Sequence, residues 1–232
     1  MTLEQLQSNF QVLVSEFPYS TYTATVLSWF NEGQRKICEK RLISDKATTP
    51  SIAETGEYDL PDNFIETKRG GVFFNDELIT PATLPLLVNI YGEDWKSTES
   101  GTPKYYLIDG GSIELIPKPS IADLDILLNF WAYANDLSSS SDVPFTTGNE
   151  SVGYTKNNRL RGLDDLLLEY AIGMAKFSLG FYDTTQQALN NFYSLLNQRV
   201  VALRKSGDLE YNEKMIDPYH LRNLQRRING NT

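Results

Sequence analysis

The first fifty residues carry apolar side chains at the spacing of amphipathic helices. Apolar positions recur every three or four residues across 3–17, and Pro18 then ends the pattern. A second pattern continues to about Arg41, and either Ser20 or Thr21 can cap its start. We predict two helices here. The polar positions of the second helix are expected to face solvent: Glu32, Gln34, Arg35, Lys36 and Glu39.

The same periodicity returns in the last third of the chain. A wide apolar stripe covers 163–181, and Asp183 or Thr184 can cap a further helix that stops at Gly207. Two antiparallel helices joined by a short turn must bury their stripes against other elements. The two N-terminal helices are the available partners, so the pattern predicts a four-helix bundle.

Between the helical parts, the strongest strand signal is a β-hairpin. The runs 104–108 and 112–116 are rich in aromatic and β-branched residues. The run 124–134 is the longest strand-like stretch, and we expect it to pair with the hairpin as a three-stranded meander. The turn of the hairpin consists of residues that supply the positive φ a tight turn requires: Asp109, Gly110 and Gly111.

Weaker strand and turn signals surround the hairpin. Residues 55–64 are typical of a short strand followed by a turn, and Gly70-Gly71 indicates a turn or bulge within a further strand. Residues 81–95 are expected to form a short helical or irregular insert. Residues 44–51 are polar, and we predict that they form a connection.

These assignments together predict an α+β fold, in which a four-helix bundle contains an inserted antiparallel β-sheet or sandwich region and is followed by an extended tail. The loop at 136–161 is rich in serine and glycine, and we expect either an arm that orders only against a neighbouring molecule or a plain flexible loop. The predicted parts are the first half of the bundle (1–50), the β region (51–135), the long loop or arm (136–161), the second half of the bundle (162–207) and the C-terminal tail (208–232).

Composition and charge narrow the functional class. The chain has 232 residues, 41% hydrophobic content and a net charge of −9. An acidic surface disfavours an ordinary DNA-binding protein, because neutralising phosphates requires a cationic patch. The single cysteine, Cys38, excludes an internal disulfide and fits a reducing compartment. No export signal or membrane-spanning run is visible, so we expect no membrane partner.

The tail differs in charge from the rest of the chain. From Tyr211 onward, four lysine and arginine side chains stand against two carboxylates, a net charge of +2. Residues 218–228 can form a short helix with leucines on one side and arginines on the other. Such a segment is too short to be stable alone, so we expect it to fold on a partner or to be a frayed end.

No sequence motif of catalysis is present. One histidine, His220, and one cysteine supply neither a metal-ligand set nor a nucleophile pair, and there is no phosphate-binding loop. We expect no cofactor, and the residues alone indicate an interaction protein. Two other classes stay open. A carbohydrate-binding β module needs exposed aromatic residues on its sheet, and a polysaccharide hydrolase needs carboxylates converging in a cleft.

Three motifs occur in a characteristic order. They are WFNEGQRKICEKR at 29–41, TGEYDLPDNFIE at 55–66 and GTPKYYLIDGGSIELIPKP at 101–119. In this order and spacing the chain resembles the head-to-tail adaptor, or connector, proteins of tailed bacteriophages, over about residues 25–205. Each motif is structural, so the resemblance rests on their order.

This resemblance implies a non-enzymatic virion protein that assembles in the host cytoplasm. It implies a ring, usually of twelve copies, beneath the portal protein, which extends the DNA channel and provides the platform for tail proteins. Viral DNA then passes without sequence-specific binding, which suits an acidic wall. Another tail or baseplate component is the alternative within the virion. We expect the following tail residues to dock on the portal: Tyr219, Leu221, Leu224, Arg226 and Arg227.

Overall fold

Helices and strands both contribute to the structure, a computed structural model that describes residues 1–148 and 162–205. These residues form an α+β fold, as the sequence predicts. The helices are α1 (Leu3–Leu13), α2 (Thr23–Cys38), α3 (Leu84–Tyr91), α4 (Leu163–Ser178) and α5 (Tyr182–Lys205). The strands are β1 (Ser44–Pro50), β2 (Glu57–Asp59), β3 (Phe64–Phe74), β4 (Glu77–Leu78), β5 (Thr80–Pro81), β6 (Tyr105–Asp109), β7 (Ser112–Ile116) and β8 (Asp125–Ala132).

Helices α1, α2, α4 and α5 share one hydrophobic core. Helix α4 contacts each of the other three. Its close approach to α2 depends on Gly33, because a Cβ atom at this position would lie 3.0 Å from the ring of Tyr170. Glycine therefore allows the two backbones to approach at the level of the tyrosine ring.

Several helix boundaries differ from the prediction. Helix α5 begins at Tyr182, so neither Asp183 nor Thr184 is its N-cap. Helix α1 ends at Leu13, although Phe17 is still buried and its ring centroid lies 5.5 Å from that of Trp29. Helix α2 follows Tyr22 and has no side-chain cap, so neither Ser20 nor Thr21 caps it. The reason is a tight turn after Pro18, in which the Thr21 amide donates to the Pro18 carbonyl.

The strands form a two-layer sandwich. One sheet has the order β1-β8-β3-β4 and the other β2-β7-β6-β5, and every pairing is antiparallel except that of the short β5 with β6. A second hydrophobic core fills the space between the sheets, with side chains from both layers. It includes Phe130 from one sheet and Ile113 and Leu115 from the other.

The predicted meander is wrong, because β8 does not pair with the hairpin. Strand β8 pairs instead with β1 and β3 in the opposite sheet. Prolines at 117 and 119 cannot continue a ladder, and the chain then crosses to the other layer. The crossing is held by Ser51, whose amide and hydroxyl bond Leu124. The hairpin and β8 therefore face each other across the core rather than sharing an edge.

The stretch predicted as a polar connection is also a strand. Strand β1 pairs with β8 from Ser44 opposite Trp131 to Pro50 opposite Asp125. It lies at the edge of its sheet, where one face is solvated and only Ala47 packs against the inner core. An edge strand of this kind has no need of alternating apolar residues, so its composition hides it.

Candidate interaction surfaces

Two side-chain amides of α2 hold the loop that follows β8. The Gln34 Nε2 atom donates to the Asn135 carbonyl at 2.8 Å, and its Oε1 atom accepts from the Phe145 amide at 2.9 Å. One turn earlier, Asn31 bonds both the amide and the carbonyl of Leu137, at 2.8 and 3.1 Å. Gln34 is completely buried, so these bonds replace those that the loop backbone would make to water.

The same loop supplies acceptors to the first turn of α1. The Leu3 amide donates to the Asp142 carbonyl at 2.8 Å, and the Glu4 amide donates to the Ser140 carbonyl at 3.1 Å. These are amides that a helix leaves without internal partners. The loop is itself tightened by Asp142, whose carboxyl pKa is lowered by hydrogen bonds from the backbone amides of Ser139 and Ser138.

Two predictions are corrected by this geometry. The expectation that Gln34 faces solvent is wrong, although its neighbour Arg35 is exposed and pairs with Asp136 at 2.6 Å. The expectation of an arm that orders only against a neighbour is wrong for 135–148, which packs on helices of its own chain. The remainder of the predicted loop, 149–161, lies outside the described residues. The missed signal was a pair of amides, three positions apart, beside Gly33 and the apolar stripe.

Other residues of the α2 motif, WFNEGQRKICEKR at 29–41, connect α2 to α4. Burial, together with a hydrogen bond to Glu32, raises the pKa of Tyr170. Lys36 bonds Glu32 at 3.4 Å, and its ammonium lies 5.9 Å from the Tyr170 ring centroid. At the end of the helix, burial raises the pKa of the Cys38 thiol to about 12. A thiol with this pKa is not a nucleophile at neutral pH, and we assign it a packing role.

The β-hairpin displays charged residues on its outer side. Asp109 pairs with Ser112, leaving Gly110-Gly111 as the turn, with φ of 60° at Gly110. On the same side Lys96 lies 3.1 Å from Glu114, and this bond raises the pKa of the lysine. Asp109 is therefore the last residue of β6, and the turn itself consists of the two glycines.

Helix α3 carries an exposed apolar face. It packs through Leu87 and, beside Trp95, covers the outer side of β6 and β7. Four of its aliphatic side chains point away from this contact with exposed fractions of 37–52%: Leu84, Leu86, Val88 and Ile90. Leu84, Leu87 and Val88 recur at helical spacing, but of these three only Leu87 is buried. An aliphatic patch of this kind is typical of a binding surface.

The five tail residues predicted to dock on the portal lie outside the described residues. For the aromatic residues relevant to carbohydrate binding, the structure gives a mixed result. Tyr106 is buried between the sheets. Tyr105 is half-buried against Tyr91, with ring centroids 6.3 Å apart, and Trp131 is half-buried beneath Lys68. None of these three rings lies open on the sheet.

Residues 1–148 and 162–205 contain neither a metal-binding cluster nor a membrane-spanning helix. No group of three or more His, Cys, Asp or Glu side chains there is placed to hold a metal ion. Among the same residues, no helix combines the length and the apolar character needed to cross a bilayer.

Comparison with known proteins identifies the family. The family model of the SU10 adaptor protein matches residues 1–215, which include the motif helix, the sandwich and the C-terminal helix pair. No match was found among curated proteins. The family is structural, which implies a role other than catalysis, and it implies portal and tail partners and oligomerisation in general. The chain therefore belongs to the SU10 adaptor protein family and is a head-to-tail connector of the bacteriophage virion.

Proposed function

We propose that the protein forms a ring beneath the portal, usually of twelve copies, which extends the DNA channel and provides the attachment platform for the tail. The observation that carries this proposal is the family match across 1–215. The α2 motif residues support it, because they hold a loop and a neighbouring helix in place as a rigid subunit of a large assembly requires. In this proposal α1, α2, α4 and α5 act as one four-helix bundle.

Charge distribution supports a passage for DNA. The whole chain has a net charge of −9, and residues from Tyr211 onward contribute +2, so residues 1–210 carry −11. A channel wall of negative charge repels phosphates and lets DNA slide without sequence-specific binding.

The basic tail is the proposed portal contact. Tyr219, Leu221, Leu224, Arg226 and Arg227 dock on the portal, while the β region and the loop at 136–161 face the tail proteins. The subunits fold in the host cytoplasm and then join the virion. An apolar and basic segment suits this docking because it can pair with an acidic protein surface and bury leucine side chains at once.

Deletion of the segment tests this assignment. Full-length protein, a variant ending before Tyr211 and a control ending after Asn229 are each mixed with the cognate portal, and the bound copies are counted by native mass spectrometry. We expect the full-length and control proteins to bind in many copies and the shorter variant to remain folded but unbound. Binding by the shorter variant would contradict the tail assignment. Failure of the full-length protein would point to another tail or baseplate component.

A further inference from the structure

The outer face of the hairpin sheet is acidic. Tyr58, Ile113 and Ile108 point into the sandwich, so their neighbours along each strand point outward. The outward carboxylates form two cross-strand rows, Glu57 opposite Glu114, and Asp59 and Asp109 each opposite Ser112. With Lys96 beside Glu114, the four carboxylates give this surface, the acidic face, a net charge of −3.

Part of this charge is held in an unfavourable arrangement. Glu57 and Glu114 lie directly opposite each other on neighbouring strands, and like charges in this arrangement destabilise a sheet. The Glu57 carboxylate accepts a hydrogen bond from Ser112 at 2.7 Å, and Glu114 has Lys96. No described basic group forms a salt bridge with Asp59 or Asp109. A cationic surface brought against this face would therefore stabilise it.

The opposite side of the sandwich carries the reverse charge. Strand β3 pairs Thr67 with Phe130 and then Val72 with Leu128, so residues 68–71 form a wide bulge. The bulge places Lys68 over the Trp131 ring at 5.1 Å and exposes Arg69. Lys46, opposite Asn129, points outward beside it. These three cations form the basic face; Glu66 near them is already paired with Arg41 at 2.5 Å, and Asp125 lies at the far end of β8.

Each face also has an apolar border. Helix α3 lies over the acidic face, where it packs on Leu107, the residue that pairs with Glu114. Its exposed aliphatic side chains stand next to the carboxylates, and the stretch 83–92 contains no charged residue. Beside the basic face, Leu127 pairs with Phe73, and Phe73 pairs with Leu78, which is 59% exposed.

We propose that the acidic face with α3 of one copy binds the basic face with its leucine border of the next copy. The inference rests on the proposed ring. Two different surfaces that complement each other on opposite sides of one subunit form a head-to-tail contact, and such contacts form a ring when the rotation from copy to copy closes, as the proposed ring requires. A second copy is favoured over DNA as the occupant, because the aliphatic side chains of both borders find a partner only in another protein surface.

Charge reversal on each face tests the pairing. Variant A carries Glu57→Lys and Asp59→Lys, which changes the acidic face from −3 to +1. Variant B carries Lys46→Glu and Arg69→Glu, which changes the basic face from +3 to −1. A control with Glu16→Lys and Glu39→Lys alters the total charge as variant A does, but at exposed sites of the helical part. Each is mixed with the cognate portal, and bound copies are counted by native mass spectrometry.

We expect variants A and B alone to lose most of the bound copies, and the control to bind like the unmodified protein. An equimolar mixture of A and B should recover the full number, because A and B alternate with opposite charges at every contact. A single cooperative thermal transition followed by circular dichroism shows that A and B are folded. Recovery on mixing cannot result from a general loss of stability.

Other outcomes overturn the inference in distinguishable ways. If the unmodified protein does not join the portal, the proposed function itself fails. If it joins and A and B join equally well, or if the mixture does not recover, these faces are not the subunit contact. If B assembles normally but loses retention of double-stranded DNA, the basic face contacts phosphates instead.

Discussion

Two amides of α2 determine where a long stretch of backbone lies. Gln34 bonds residues 101 and 111 positions away, and Asn31 bonds one 106 positions away. The sequence pattern placed Gln34 on the solvent-facing side of the helix, which is wrong because its side chain is completely buried. The hydrogen-bond partners of Gln34 and Asn31 could not be predicted, because the loop that follows β8 is rich in serine and has no periodic pattern.

Replacing Gln34 tests the importance of this contact. Gln34→Met keeps the side-chain length but removes the donor to the Asn135 carbonyl and the acceptor of the buried Phe145 amide. We expect a loss of about 2–4 kcal/mol in the free energy of unfolding, since each unsatisfied buried group costs about 1–3 kcal/mol. Urea denaturation measures the free energy of unfolding of both proteins. The matched control is Gln187→Met at an exposed position of α5, which should change stability by less than about 0.5 kcal/mol. Equal losses in the two variants would contradict the assignment.

The buried thiol makes stability depend on alkaline pH. Folding raises the pKa of Cys38 from 9.0 to about 12, so above pH 9 the unfolded chain ionises while the folded one does not. The stabilisation is complete below pH 9 and is lost as pH rises toward 12. Between pH 8 and 10 this cysteine should lower the free energy of unfolding by about 1.4 kcal/mol.

Comparison with Cys38→Ala isolates this effect. The alanine variant starts from a lower stability because it leaves a small cavity, but its unfolding free energy should fall less between pH 8 and 10 than that of the unmodified protein. Denaturant midpoints at both pH values give the two slopes. Identical slopes would show that the thiol ionises equally in the folded and unfolded states.

Among the elements, β3 is shaped by a glycine at its bulge. A Cβ atom on Gly71 would lie 2.4 Å from the Asn129 carbonyl oxygen and 2.7 Å from that of Lys68. Both obstacles are backbone atoms that cannot rotate away. The bulge, which positions Lys68 and Arg69, therefore requires glycine at this position.

Gly71→Ala should thus destabilise the sandwich by about 1–3 kcal/mol, as overpacked sites do. Gly111→Ala is the control, because a Cβ atom there meets nothing within 4 Å and its φ is not positive. Thermal unfolding compares the two variants. A Gly71 variant as stable as the control would mean that the bulge relaxes at little cost.

Elements with strong local signals were predicted well. The four long helices follow from sustained periodicity, the hairpin from its turn glycines, and the bulge from Gly70-Gly71. Strand β1 was missed because an edge strand buries little, and the partner of β8 was misassigned because pairing across a sheet is a nonlocal choice. Sequence order suggested the adjacent hairpin as the partner of β8, whereas Pro117 and Pro119 end the hairpin ladder and the chain then crosses to the other sheet.

At the scale of the whole molecule, the order of the motifs identified the family, and the family model confirms it over 1–215. Surface complementarity was not predictable, because it depends on which strands share a layer. The acidic rows exist only in the register of β2, β7 and β6, and the basic face exists only where β3 bulges beside β8.

The crossing of the chain between β7 and β8 gives the subunit a front and a back. If β8 had extended the hairpin sheet, the residues of the acidic face and of the basic face would lie in one continuous sheet, and copies could associate in either orientation. Because the two sheets lie back to back, the ring grows in one direction, and every copy has the same orientation around it. A copy altered on one side only could still be added through its intact side and would then stop growth there. Small fractions of variant B mixed with unmodified subunits should therefore leave rings open.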